Sequence, residues 1–120
     1  MWLLMEITRE IELDATADEV WRLLSDVEEL AGWIGDEIRT ADIDRDAGER
    51  RLAWTWAPDG VATSVEVELT ESGDRSLLRI VERGPFAAAR ACSLGDAWDD
   101  RLFGLEVHCL TRRLALVPYE

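Results

Sequence analysis

The chain has 120 residues, 48% of them hydrophobic, and carries 13 basic against 26 acidic residues, a formal net charge of −13. A chain of this length buries about two thirds of its unfolded surface in one core, so we expect a single domain over residues 1–120. The negative charge repels phosphate backbones and anionic lipids, which excludes nucleic acids and membranes from the predicted partners. The negative charge is then expected to serve solubility, and binding of a basic partner protein is the alternative explanation.

The amino acid repertoire narrows the chemistry further. All 13 basic residues are Arg, and the chain contains no Lys, Asn or Gln. Without Lys it cannot form a Schiff base, anchor pyridoxal phosphate or build a Walker A phosphate loop. One His and two Cys, which do not form a C-x-x-C pair, are too few for the usual zinc or iron–sulfur ligand sets. We therefore predict no metal and no cofactor.

The apolar residues 1–5 do not predict a signal peptide. They form a short segment without a basic flank, and they continue directly into an alternating strand. No stretch of the chain approaches the length of a transmembrane helix. We expect a cytoplasmic, reduced protein.

The first predicted elements are a strand and two short helices. Apolar and polar residues alternate from Ile7 to Leu13, which is typical of a half-buried strand. Thr16 and Glu19 have the spacing of a capping box, and apolar residues follow at helical spacing. A second helical turn is predicted over residues 28–33.

Four strand-like segments come next, separated by short turns rich in Gly and Asp. Turns this short require antiparallel neighbours. The strands are predicted at about residues 37–45, 50–57, 61–71 and 75–83, with turns at 46–48, 58–60 and 72–74.

The C-terminal part predicts a mobile connection over residues 86–94 and a helix from about residue 96 to 114. This helix carries two apolar stripes, whereas a helix that packs against a sheet on one side needs only one of them. The second stripe therefore meets either the N-terminal helices or a second subunit. The first stripe is Trp98, Leu102, Leu105 and Cys109, and the second is Phe103, Val107, Leu110 and Leu114.

Four sequence blocks carry a resemblance to a known superfamily. The blocks are Ile11 to Trp21, Trp33-Ile34-Gly35, Arg51 to Trp56, and Ser76 to Gly84 followed by Gly95 to Leu105. Their order and spacing resemble the START-like (SRPBCC) helix-grip superfamily, and within it the activators of Hsp90 ATPase. The resemblance implies an α+β fold, in which a curved antiparallel sheet of about five strands wraps a long C-terminal helix, with short helices after strand 1. It also implies an apolar cavity.

This chain departs from the family in one place. Relatives carry a Gly-rich hairpin after the Trp-x-Gly turn, whereas here Gly35 leads almost at once to the next predicted strand. The loss opens one wall of the cavity and exposes a sheet edge, which proteins normally cover or pair. A homodimer is one way to cover it.

The resemblance places four of the six Trp residues at the cavity mouth and floor. Indoles offer large rigid apolar faces with one N–H donor, which suits a flat or aromatic ligand. The alternative for each Trp is plain core packing. The predicted apolar contacts are Trp33, Trp54, Trp56, Trp98 and Leu102.

Two charged residues share the inward parity of their strands. Arg9 falls on the side of Ile7 and Ile11, and Glu82 falls beside Ile80. The resemblance makes the first and last strands neighbours, so we expect Arg9 and Glu82 to form an inward ion pair that orients a polar ligand group, with Arg9 suited to a carboxylate. The alternative is that both lie at solvated strand ends.

The sequence thus predicts non-catalytic binding of a small hydrophobic or aromatic ligand. Two alternatives stay open: a polyketide cyclase-like enzyme using the same cavity, and an interaction module in which the cavity is vestigial. His108 is expected on the surface, because it lies off the Trp98 stripe and no Ser, Asp or Cys is spaced to form a triad with it. No catalytic residue is therefore predicted.

Overall fold

The computed structural model describes residues 4–115, with side chains to Thr111. The apolar residues 1–3 and the Leu114 side chain lie outside the described part. The elements are β1 Met5–Leu13, α1 Ala17–Ser25, α2 Val27–Ile34, a 3-10 helix Asp36–Thr40, β2 Asp44–Asp46, β3 Arg51–Trp56, β4 Thr63–Ser72, β5 Arg75–Gly84 and α3 Ala88–Ala115.

The strands form one antiparallel sheet in the order β1-β5-β4-β3-β2. The sequential strands β2 to β5 are joined by turns, and in the last of these Gly73 adopts φ 67°, a value that favours glycine. β1 pairs with β5, so the first and last strands are neighbours as expected. With α3 packed on the sheet, the predicted helix-grip fold of five strands is confirmed.

Capping hydrogen bonds fix the residues at which the two short helices begin. The Thr16 hydroxyl accepts a hydrogen bond from the Glu19 backbone N–H at 3.2 Å, and the Asp26 carboxylate accepts one from the Glu28 backbone N–H at 2.9 Å. Both satisfy donors that a helix start leaves open. The first turn of α1 agrees with the capping box in the sequence.

Two segments differ from the predictions. Residues 37–45 were expected to form a strand, but residues 36–40 form a 3-10 helix and only Asp44–Asp46 is strand. The turn is held because Ile38 is fully buried and its carbonyl accepts a hydrogen bond from the Ala41 N–H at 3.2 Å. Residues 88–94, expected to be a mobile connection, are the first turns of α3, consistent with the high helix propensity of Ala.

The two stripes of α3 have different environments. Trp98, Leu102, Leu105 and Cys109 are buried in the main core, as predicted. By contrast, Phe103, Val107 and Leu110 are 65%, 43% and 48% exposed. The expectation that these three residues pack against the N-terminal helices is therefore wrong, and the alternative, a subunit interface, stays a prediction.

Among the described residues, no helix is both long and apolar enough to cross a membrane.

Candidate ligand-binding site

A buried carboxylate lies at the centre of the site. Glu82 on β5 points inward and is 1% exposed. Its Oε1 accepts a hydrogen bond from Trp98 Nε1 at 2.8 Å, and its Oε2 accepts from Trp56 Nε1 at 3.1 Å and from the Thr63 hydroxyl at 2.5 Å. An unpaired buried charge would be very costly, and these donors replace the lost water.

Three elements deliver the donors to β5. Trp56 ends β3 and lies directly opposite Thr63, the first residue of β4. In the β4–β5 register Val65 lies opposite Glu82, so Thr63, two residues earlier on the same face of β4, reaches Glu82 diagonally. Trp98 reaches Glu82 from α3 above the sheet. The indole N–H groups can only donate, so they hold the carboxylate oxygens as acceptors.

Arg101 adds a positive charge over the two indole rings. One turn after Trp98, its guanidinium carbon lies 4.7 Å from the Trp98 ring centroid and 5.5 Å from that of Trp56. This is cation–π distance. Burial lowers the pKa of Arg101, and the nearby carboxylates of Glu82 and Glu37 oppose that change. Arg101 therefore partly compensates the charge of Glu82.

A cavity of about 330 Å³ opens beside Glu82, between the end of the sheet and the start of α3. Glu82 and Thr63 provide its buried polar side chains, and an ion pair joins the lining residues Asp59 of the β3–β4 loop and Arg90 of α3. The remaining lining is mostly apolar: Pro58, Val61, Pro85, Phe86, Ala87 and Leu94. An apolar pocket with few polar groups is the usual form of a small-molecule site.

Comparison with known proteins agrees with this architecture. Residues 5–91 match the family model described as polyketide cyclase / dehydrase and lipid transport. This chain belongs to that family. No curated protein matches the chain.

Several solved structures share the fold of this polyketide cyclase/dehydrase family member. CalU16 from Micromonospora echinospora is 25% identical, with a TM-score of 0.70 over 86% of this chain and 73% of CalU16. A START superfamily protein from Mycobacterium smegmatis is 15% identical, with a TM-score of 0.71 over 88% of this chain and 97% of that protein. The di-domain ARO/CYC BexL from the BE-7585A biosynthetic pathway is 17% identical, with a TM-score of 0.71 over 89% of this chain but 46% of BexL.

The residues predicted to contact ligand are dispersed in this family member. Trp98 and Leu102 are buried in the main core, as is Trp54, whose ring centroid lies 5.6 Å from that of Trp56. Trp56 also borders a separate open groove beside the 3-10 helix, and Trp33 lines a recess near His108. Glu82 alone among the predicted residues belongs to the described lining of the 330 Å³ cavity. The ligand-contact roles of the others stay predictions.

The expected Arg9–Glu82 ion pair is wrong. Arg9 lies opposite Ile80 in the β1–β5 register, whereas Glu82 lies opposite Ile7. Arg9 Nε instead donates to Asp99 Oδ1 of α3 at 2.8 Å, and the Arg9 side chain is 38% exposed. The inward parity of Arg9 was correct, but the helix above the strand supplies its partner.

Sequence reasoning placed His108 correctly and missed part of the site. His108 is on the surface, with Nε2 3.5 Å from Glu29 Oε2. The residues not foreseen are Thr63, Arg101 and the Asp59–Arg90 pair. A signal existed for Arg101, because residues three apart on a helix are neighbours and Arg101 follows Trp98 by three. Nothing in the local sequence marks Thr63, whose role depends on strand register.

Proposed function

We propose that this START-like domain, residues 1–120, binds a small apolar or aromatic molecule in the cavity beside Glu82. The observation that carries the proposal is a carboxylate, 1% exposed and hydrogen-bonded by two indoles and one hydroxyl, at the side of an otherwise mostly apolar cavity of about 330 Å³. Pockets for small molecules commonly begin near 300 Å³, so this volume suits a compact ligand.

The family match supports this reading, because its description includes lipid transport as well as cyclase and dehydrase activity. The proposed site also avoids the wall that the missing hairpin leaves open. It lies between the β3–β4 loop, the ends of β4 and β5 and the start of α3, whereas the open groove lies beside the 3-10 helix. Shortening of the fold is thus compatible with a working cavity.

Native mass spectrometry of the purified protein tests the proposal. We expect a small-molecule adduct in the wild type that is lost in Leu94→Trp, in which the larger ring fills the cavity. Leu4→Trp is the matched control, because Leu4 is exposed and lies outside both the cavity lining and the exposed stripe of α3, so the adduct should persist. An adduct that survives Leu94→Trp, or failure of the protein to bind any two-ring apolar compound added to it, would contradict the proposal.

A polyketide cyclase-like enzyme is the alternative that the family match favours. Its chemical basis would be Glu82, a carboxylate in contact with the cavity that could accept a proton during aldol closure. Incubation with a poly-β-ketone thioester analogue, followed by mass analysis of the products, separates the two functions. A cyclised product that forms with the wild type and not with Glu82→Gln would favour catalysis over simple binding.

The exposed stripe of Phe103, Val107 and Leu110 favours a second role in homodimer formation. The finer resemblance to activators of Hsp90 ATPase and the cytoplasmic location stay predictions.

A further inference from the structure

We propose that the cavity selects a neutral ligand that donates a hydroxyl hydrogen bond to Glu82, a phenol or an alcohol, and rejects carboxylic acids. The inference rests on the proposed binding function and specifies the class of ligand. It reverses the sequence-based expectation that Arg9 would receive a carboxylate.

The first argument is the number of acceptor positions on Glu82. A carboxylate can accept about four hydrogen bonds. Three are made by Trp98 Nε1, Trp56 Nε1 and the Thr63 hydroxyl. Glu82 also lines the cavity, and its Oε1 has one described donor against two on Oε2, so the ligand hydroxyl is placed at Oε1. A ligand group that meets this oxygen must therefore be a donor.

The second argument is the charge that an acid would meet. Among the described lining residues, Arg90 is the only cation, and it is paired with Asp59. Arg101 lies over the indole rings and does not belong to the lining, and Arg9 is paired with Asp99. A carboxylate ligand would thus face the Glu82 carboxylate in an apolar space without a free counter-charge, which is strongly unfavourable.

The third argument explains why the donor group of the ligand is a hydroxyl and not an ammonium ion. Arg101 already supplies a positive charge near Glu82, so the site does not depend on a cationic ligand for compensation. An ammonium ion needs several acceptors to replace its water, whereas Val61, Phe86 and Leu94 are apolar and the lining carboxylate of Asp59 is already paired with Arg90. A phenol, in contrast, can place its ring against Phe86 and form a short, charge-assisted O–H···O⁻ bond.

Four probes on one two-ring scaffold test this class: 2-naphthol, naphthalene, 2-naphthoate and the cation of 2-(aminomethyl)naphthalene. Each is titrated into the wild-type protein while the indole N–H resonances are followed by NMR, because Trp98 and Trp56 report directly on Glu82. We expect 2-naphthol to bind about tenfold or more tightly than naphthalene, since hydrogen bonds to charged groups are worth at least that factor. Naphthoate should bind more weakly than naphthalene.

The outcomes separate this inference from the proposed function. Equal binding of 2-naphthol and naphthalene, or tightest binding of the acid or the amine, would overturn the proposed ligand class while leaving a working cavity. Failure of all four probes to bind would contradict the binding function itself, and the ligand class with it. These comparisons use the wild type, so they do not depend on whether a variant folds.

Two variants locate the effect. In Glu82→Leu the preference for 2-naphthol over naphthalene should disappear, whereas in Glu68→Leu, on an exposed position of the neighbouring strand, it should persist. If Glu82→Leu does not fold, competition of 2-naphthol with a non-donor isostere, 2-methoxynaphthalene, in the wild type gives the same test. Loss of affinity on methylation is expected, and equal affinity would overturn the proposal.

Discussion

Two indole N–H groups determine which side chain can stand at position 82. Trp56 and Trp98 donate to different oxygens of Glu82, and an indole nitrogen cannot turn round to accept. Any replacement must offer acceptors at both positions. This requirement ties the stability of the domain to the same residue that borders the cavity.

Glu82→Gln is therefore expected to destabilise the fold. The amide NH₂ group would face the Trp98 N–H in one orientation and both the Trp56 N–H and the Thr63 hydroxyl in the other. Either orientation leaves a buried donor unsatisfied, which costs about 1–3 kcal/mol. Urea unfolding measures the change in the free energy of unfolding. The matched control Glu68→Gln is on an exposed strand position, where substitutions usually change stability by less than about 0.5 kcal/mol. Equal effects of the two substitutions would contradict the role assigned to Glu82.

Acid sensitivity is a second property that belongs to single residues. The Arg83 guanidinium donates a hydrogen bond to Glu6 at 2.7 Å and lowers the pKa of Glu6 below its usual 4.5. Because the folded pKa is below the unfolded one, the stability that Glu6 contributes is present above pH 4.5 and is lost as the pH falls through the folded value.

An NMR titration of the Glu6 side chain checks this prediction. In Arg83→Gln the Glu6 midpoint should rise toward 4.5, because the Arg83 hydrogen bond, which lowers the pKa of Glu6 most, is removed. Arg22→Gln, on the surface of α1, is the control and should leave the midpoint unchanged. An unchanged midpoint in Arg83→Gln would disprove the assignment.

At the level of elements, two glycines show how the packing of α3 and β5 differs. Gly104 lies within α3, where an added Cβ would meet no atom within 4 Å. Gly84 ends β5, where an added Cβ would lie 2.6 Å from Thr63 Cγ2 and 3.3 Å from Phe86 Cδ1. The first site has room for a side chain, and the second does not.

Gly104→Ala should therefore stabilise the protein by about 0.5–1 kcal/mol, since Gly is that much less favourable than Ala within a helix. Gly84→Ala should destabilise it, because Thr63 would have to move away from Glu82. Thermal unfolding of both variants gives the comparison, and Gly32→Ala in α2, where a Cβ also meets nothing within 4 Å, repeats the favourable case. A stabilising Gly84→Ala would show that Thr63 moves freely.

The elements also explain why the sequence patterns predicted two segments wrongly. Alternation of apolar and polar residues over 37–45 is compatible with a strand, but Gly35 adopts φ 125° and Ile38 is drawn into the core, so the backbone turns. Ala88, Ala89 and Ala91 carry no periodic signal, yet they form the first turn of α3, which begins at Ala88. In both segments tertiary contacts or intrinsic propensity overrode the pattern.

On the scale of the whole molecule, the exposed stripe of α3 is the feature that most needs a partner. We expect the wild type to dimerise through this stripe and Leu110→Glu to shift it to a monomer, because a charge would be buried in an apolar interface. Leu4→Glu is the matched control, since Leu4 is exposed elsewhere on the molecule. Light scattering across a range of protein concentrations measures the mass in solution.

A wild type that stays monomeric at high concentration would contradict the dimer. So would a Leu110→Glu variant that assembles like the wild type. Neither result would affect the cavity, because the stripe faces away from the core that holds Trp98. Assembly and ligand binding can therefore be tested separately.

The sequence by itself determined the capped start of α1 and the buried stripe of α3, because capping and helical period are local properties. The helix-grip fold was predicted through the resemblance of four sequence blocks to a known superfamily. The sequence also assigned Arg9 and Glu82 to inward-facing positions correctly. Only the tertiary structure decided their partners. Glu82 is bonded by residues 16, 19 and 26 positions away, and Arg9 by one 90 positions away. Periodicity states which face a side chain occupies, whereas strand register and the path of the helix over the sheet select what it meets there.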